Sequence, residues 1–340
     1  MRPAAPSISM RQAMSTDALH STHSQKVVKV LKFGGTSVGS AEALERLVGI
    51  VSAEEMGSRP LLVVSALSGV TDWLHALETE THRKRQQVWM RKLVRRHQAL
   101  SAEVLDHERH GRYLNRLSEC IDLLRDTLRR PPGPMRSHVI WASGEWMSAP
   151  LVALILERHG VSSEWVDARR LIRVVESASG SWVVDRNKTR AQTESWYRRL
   201  PAGRVPVITG FLGAEENGQV VTLGRGGSDY SASLIAEAVG ASKFDRWTDV
   251  DGLYTADPRK NEQAGRFLYL LLEDATTWNE ANQLGMHAHA FEPVLHACIP
   301  VHVRSTRHPQ GDGTLILPAR LPKRVEKDAR ELMNRTRAAI

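Results

Sequence analysis

One lysine stands two residues ahead of a glycine pair, in Lys32-Phe33-Gly34-Gly35-Thr36-Ser37-Val38-Gly39. Two further glycine turns follow, Ser68-Gly69-Val70-Thr71 and Gly224-Arg225-Gly226-Gly227-Ser228-Asp229. A helix N-terminus presents unpaired N–H groups and partial positive charge, and glycine lets an anion come close to the backbone. Any one such turn is an ordinary tight connection. Several together, with Lys32 before the first and Arg225 inside the last, point to phosphate. These turns lack the Lys-Ser or Lys-Thr close of a P-loop and do not form the Gly-x-Gly-x-x-Gly dinucleotide fingerprint. Phosphoryl transfer is mostly positioning and charge stabilisation. A carboxylate acceptor is already ionised at neutral pH and needs no general base, which suits loops without an obvious catalytic His or Cys. It does need cations, and Lys32, Arg225, the helix N-termini and a magnesium ion would supply them. Arg225 can grip an α-carboxylate through two parallel hydrogen bonds. Glu145 and Asp229 can hold an α-ammonium; the plainer reading makes them acids at helix N-termini.

The elements that must position these residues alternate between strand and helix. Lys26 to Phe33 reads as a buried strand ending at the glycines, and Ala41 to Ala53 as a helix with Leu44, Leu47, Val48 and Val51 on one face. Leu61 to Ala66 reads as a second buried strand. Asp72 to Arg129 has helical spacing with few breakers, so several helices are expected there. Pro131, Pro132 and Pro134 mark a loop. His138-Val139-Ile140-Trp141 reads as a short strand before Ser143-Gly144-Glu145, and Leu151 to Ile155 as a helix. Val205 to Phe211 reads as a strand, with a hairpin turn at Glu215-Glu216-Asn217-Gly218 into Val220 to Leu223. Ser233 to Val239 is helical, and Phe244 to Trp247, Ile299 to Val303 and Thr314 to Leu317 read as strands. This alternation predicts an α/β fold, with a mainly parallel sheet covered by helices on both faces. Ligands then gather at the carboxyl ends of the strands.

Composition excludes several alternatives. The 340 residues are 41% hydrophobic and 25% charged, ordinary for a globular protein. No uninterrupted apolar run is long enough to cross a bilayer. The first 25 residues, with Met10 and Met14 as alternative starts, read as a disordered leader without the apolar core of a secretory signal. Cys120 and Cys298 are the two cysteines and sit in no metal-ligand spacing, which suits a reducing cytoplasm. The net charge of +8 gathers in His82 to Arg96 and in the tail from Arg320 onward. Both read as solvated faces of helices, and no motif for binding nucleic acid accompanies them.

With these motifs the sequence resembles the aspartate kinases of the amino-acid kinase fold. Lys32 to Val38 is similar to that family's N-terminal signature. Val63-Val64-Ser65-Ala66 with Ser68 to Thr71, Ser143-Gly144-Glu145 with Ser148, and Gly224 to Ala232 are similar to its later substrate loops. Trp247-Thr248-Asp249-Val250-Asp251-Gly252-Leu253-Tyr254-Thr255-Ala256-Asp257-Pro258-Arg259 is similar to its nucleotide-side segment. The resemblance implies a three-layer α/β/α sandwich on a mainly parallel eight-stranded central sheet. It implies a catalytic domain over 26–318, with an amino-acid-binding lobe to about 210 and an ATP-binding lobe after it. The implied reaction moves the γ-phosphoryl of ATP, with Mg2+, to the side-chain carboxylate of L-aspartate. The product, 4-phospho-L-aspartate, opens the pathway to lysine, threonine and methionine. Lys32, Asp229 and Arg225 would be catalytic. Ser65, Thr71, Glu145, Arg225 and Asp229 would contact the amino acid. Lys32, Gly34, Gly35, Ser37, Thr248, Asp249, Tyr254, Arg259 and His287 would contact the nucleotide. No protein metal ligand is implied. A homodimer is expected by analogy with the fold only; no nucleic-acid or membrane partner is expected.

Three departures stand out. Little but a basic helical tail, 319–340, follows Leu317, so the family's regulatory ACT domains and internal feedback by lysine or threonine are not expected. Where the family has Gly-Ala-Lys-Val-Leu-His-Pro, this chain reads Gly285-Met286-His287-Ala288-His289-Ala290-Phe291, so that family lysine appears as His287. A neutral imidazole gives less charge there. Trp146, Trp247 and Trp278 belong to a set of nine tryptophans, read as core packing rather than base stacking. Two other readings stay open: a kinase of this fold with another amino acid, a phosphonate or a nucleotide as acceptor, and a degenerate kinase serving as a non-catalytic binding subunit.

Overall fold

Strand β1 (Val27–Phe33) alternates its side chains between two cores. Leu31 and Phe33 pack into one hydrophobic cluster, while Val30 packs into another on the opposite face. Lys32 shares the face of Val30, because side chains in a strand alternate. The structure, a computed structural model, describes residues 27–255, 261, 263–271 and 287–318. The expected leader, the basic tail, Lys26, Arg259, Trp278, Gly285 and Met286 lie outside the described residues.

Helix α1 (Ala41–Gly57) is capped by Ser40, whose hydroxyl accepts the Ala43 amide at 3.2 Å. It leads into β2 (Ser58–Val64), which pairs in parallel with β1. Three helices follow: α2 (Val70–Thr79), α3 (Arg83–Val104) and α4 (His107–Leu128). After helix α5 (Pro134–Arg158) come β3 (Ser163–Val166), the small hairpin of β4 (Val174–Glu176) and β5 (Trp182–Val184), and α6 (Arg186–Arg199). Strand β6 (Val205–Thr209) leads to the hairpin of β7 (Leu212–Ala214) and β8 (Val220–Thr222), then to α7 (Gly227–Val239). Strands β9 (Lys243–Thr248), β10 (Tyr269–Leu271), β11 (Val301–Ser305) and β12 (Thr314–Leu317) complete the series, with a short helix Glu292–His296 before β11.

The main sheet has eight strands in the order β10-β12-β11-β9-β1-β2-β6-β3. Its pairings are parallel except for β11 with β12. Helices cover both faces, as expected of a three-layer α/β fold. The chain runs from β1 to β2 on one side and later places β9 on the other. The carboxyl ends of β1 and β9 therefore flank a point where the strand order reverses, the usual place for a ligand crevice.

One expected element is wrong. His138 to Trp141 is not a strand; it lies in α5, which runs unbroken from Pro134 to Arg158. A short apolar run looks alike in a buried strand and a buried helix. Pro134 starts the helix, where a missing N–H costs nothing, instead of ending a loop. Nor is Ser143-Gly144-Glu145 a loop: Glu145 sits mid-helix, beyond the reach of the N-terminal dipole. Gly144 is needed for a close approach, since a Cβ there would lie 2.6 Å from that of Ala66. By length and composition α5 could cross a membrane, yet most of its apolar stretch is buried inside the fold.

Candidate active site

The site starts from a register. Lys32 on β1 lies directly opposite Arg246 on β9. Like charges facing each other across a ladder repel. Asp229, in the first turn of α7, relieves this. Its Oδ1 lies 2.9 Å from Lys32 Nζ, and Arg246 Nε donates to its Oδ2 at 3.3 Å. Lys32 and Asp229 are both buried. Burial pushes the Asp229 carboxyl up, but Lys32 and then Arg246 outweigh it and hold its pKa below the usual range.

Glu145 is buried on α5 and makes no ion pair among the described residues. Burial pushes its pKa up to about 8, against backbone hydrogen bonds and the Lys32 ammonium, which pull it down. Two carboxyls of the site are therefore driven apart: Asp229 stays ionised at neutral pH, whereas Glu145 holds its proton. Opposed environments of this kind are common at functional sites. Ser65 is fixed at the end of β2, with its carbonyl accepting from Ser148 Oγ at 2.8 Å. Thr71 stands exposed in the first turn of α2, and Arg225 is exposed just before α7.

Lys32, Ser65, Thr71, Glu145, Arg225 and Asp229 all line one cleft of about 500 Å³. Each residue expected to touch the amino acid is thus brought to the same space. Sequence reasoning missed several neighbours. Arg246 could have been suspected as a charge in the middle of a buried strand. His75 lies one helical turn after Thr71, and Trp141 one turn before Glu145, so the 3.6-residue period could have found both. Phe211, at φ 70°, and Thr222 also line the cleft, and no local signal marks either.

Of the residues expected at the nucleotide, Lys32, Gly34, Gly35, Ser37, Thr248 and Asp249 lie at or just beyond the ends of β1 and β9. The Gly34 amide and the Ser37 hydroxyl both donate to the Trp247 carbonyl, each at 3.4 Å. Ser37 is fully buried, so its hydroxyl serves the backbone. The Gly35 carbonyl accepts the Ser68 amide at 3.1 Å, tying the first two glycine turns together. Thr248 Oγ1 donates to Asp249 at 3.3 Å, and the Thr248 carbonyl accepts the Thr306 amide at 2.8 Å. Tyr254 forms an isolated bridge with Arg266. His287 packs on Gly226, which has φ 70°, and a Cβ on that glycine would lie 2.6 Å from the imidazole. His287 also stacks on His289 with centroids 5.9 Å apart. Trp247 is core, as expected: it is buried and stacked on Phe33. Trp146 is partly buried, with the Arg169 guanidinium 4.6 Å from its ring.

The model of the amino acid kinase family matches residues 28–305. The lysine-sensitive aspartokinase 3 of Escherichia coli (strain K12) is 33% identical over 290 residues, covering 85% of this chain and 64% of that protein. The chloroplastic bifunctional aspartokinase/homoserine dehydrogenase 1 of Arabidopsis thaliana is 29% identical, over 84% of this chain and 32% of its own length. Among solved structures, E. coli aspartokinase III in complex with aspartate and ADP superposes with a TM-score of 0.78 at 29% identity, over 86% of this chain and 65% of that one. With the α/β sheet and the cleft at its switch point, the match defines a class: the chain belongs to the amino acid kinase family. It spans from about a third to just under two thirds of the length of these relatives.

Proposed function

We propose that this chain is an aspartate kinase, transferring the γ-phosphoryl of ATP to the side-chain carboxylate of L-aspartate to give 4-phospho-L-aspartate. The observation that carries the reading is the convergence of Lys32, Glu145, Arg225 and Asp229 on one cleft beside the N-terminus of α7. The likeness to relatives named as aspartokinases supports it.

In this reading Arg225 grips the α-carboxylate from the mouth of the cleft. Glu145 gives up its proton and accepts the α-ammonium. Asp229 is already shared between Lys32 and Arg246, so its work is to hold the Lys32 ammonium in place rather than to bind substrate. Lys32 then sits between two anions, the acceptor carboxylate and the transferring phosphoryl, and stabilises the charge that builds between them. The ATP phosphates lie along the turns after β1 and β9, near Gly34, Gly35 and Thr248, with Asp249, Tyr254 and His287 on the nucleotide side and Ser37 bracing the first turn. Among the described residues, no three His, Cys, Asp or Glu side chains are grouped to hold a metal. A magnesium ion carried by the phosphates would neutralise their charge. Both cysteines are free thiols, in keeping with a cytoplasmic setting.

The test is hydroxamate formation with purified protein, ATP, Mg2+, hydroxylamine and a panel of acceptors. Aspartyl hydroxamate is the expected product. Product from a different carboxylate alone would move the reading to another acceptor. ATP binding without turnover would move it to a binding subunit.

A further inference from the structure

The cleft has one wall that the proposed chemistry does not use. His75 lies four residues after Thr71 on α2, and Trp141 four residues before Glu145 on α5, so each stands one turn, about 6 Å, from a substrate-facing residue. Both rings line the cleft and meet there, with centroids 4.9 Å apart and planes at 47°. Behind them His138 meets Trp141 edge-on at 5.9 Å. Trp141 is therefore held between two imidazoles.

His138 is itself anchored. Its Nδ1 lies 2.9 Å from Thr222 Oγ1 and accepts the Thr222 amide at 3.2 Å. An amide can only donate, so Nδ1 carries no proton and the ring is neutral. Both residues are buried. Thr222 ends β8, and the chain then runs directly into Gly224 and Arg225. The tether consequently fixes the ring wall on α5 relative to the Arg225 loop.

We propose that His75 and Trp141 form the gauge that sets acceptor length in this cleft, with His138 as the positioning residue that locks the gauge to the Arg225 loop. The inference rests on the aspartate-kinase reading above. An acceptor gripped by Arg225 at one end and reacting beside Lys32 at the other has only the room that this wall leaves. A wall of interlocked rings tied to the gripping loop yields poorly to an added methylene. Discrimination by one methylene in such a pocket is about 10- to 200-fold.

The experiment compares kcat/KM for L-aspartate and L-glutamate in the hydroxamate assay. Wild type is expected to prefer aspartate by about 10- to 200-fold. Trp141→Ala should raise the value for glutamate and lower that for aspartate, cutting the ratio by about tenfold or more. His75→Ala, at an exposed helix position that tolerates alanine, should cut it in the same direction by less. His138→Leu leaves the Thr222 amide without its acceptor and should erode the ratio, whereas His138→Gln offers a carbonyl oxygen in its place and should restore it. An unchanged ratio in both Trp141→Ala and His75→Ala, or a wild type that uses both acids equally, overturns the gauge. A wild type that makes hydroxamate from neither acid overturns the kinase reading, and the gauge with it.

Discussion

The proposed acceptor side and the proposed nucleotide side of this site are built differently. On the acceptor side, side chains from β1, α2, α5 and α7 meet in one cleft, and its buried Asp229 is shared between Lys32 and Arg246. On the nucleotide side, the contributions are mostly backbone, tied turn to turn by the Trp247, Gly35 and Thr248 carbonyls. The difference teaches where substitution should bite. A prepaid cluster of buried charges fails when one member is removed, because the others are left uncompensated. A backbone cradle tolerates changes of side chain and fails only when the turns move.

The largest effect is expected at Lys32. Lys32→Met removes the cation between the two anions and leaves Asp229 to Arg246 alone. Loss of one such stabilising group costs about 10²- to 10³-fold in kcat. Steady-state kinetics should show that fall with a much smaller change in KM for ATP. A KM effect without a kcat effect would assign Lys32 to ground-state binding. Arg225→Lys comes next: it keeps the charge but loses the planar fork. Loss of a charge-assisted hydrogen bond, about 1.5–3 kcal/mol, predicts a rise of about 10- to 100-fold in KM for aspartate with KM for ATP little changed.

Glu145 gives a smaller effect with a definite sign. Its native pKa of about 8 lies above the ordinary carboxyl value of 4.5. Between those values the native state holds a proton that the unfolded chain has lost. The stabilisation is complete below about 4.5 and is lost as pH rises through about 8, so the ligand-free protein should lose stability over that window. Binding runs the other way. An α-ammonium needs the carboxylate form, so aspartate should bind more tightly as pH rises toward 8 and should release a proton below it. Calorimetry in two buffers of different ionisation enthalpy measures that release. Glu145→Gln should abolish it and flatten the pH dependence of melting. Proton release that persists in the variant would place the titrating group elsewhere.

The sequence was most readable where function is written in contiguous residues. Lys32 with its glycines and Arg225 through Asp229 sit at turns, and turns announce themselves through glycine and through the end of an apolar run. Glu145 was marked by motif but misplaced in the fold, because the apolar run ahead of it suits a buried helix as well as a strand. Arg246 was missed because its importance lies in the register of β9 against β1, a relation between residues more than 200 positions apart. The edge strand β3, the β4–β5 hairpin and α6 gave no chemical signal and went unread. Thr222 and His138 are 84 positions apart, and nothing local connects them.

His287 tests the nucleotide side, and the effect there should be the smallest. The imidazole lies against Gly226, within the loop that carries Arg225. It also stacks on His289, whose pKa is lowered by burial first and by His287 second. A lysine at this position would replace a ring held by stacking with a flexible ammonium. The backbone cradle needs no new geometry to benefit from that charge. His287→Lys should therefore lower KM for ATP by a few-fold, about the value of one partly exposed cation near a phosphate, and leave KM for aspartate unchanged. A rise in KM for aspartate instead would mean that the imidazole braces the Arg225 loop through Gly226. That outcome would join the two sides of the site into one unit.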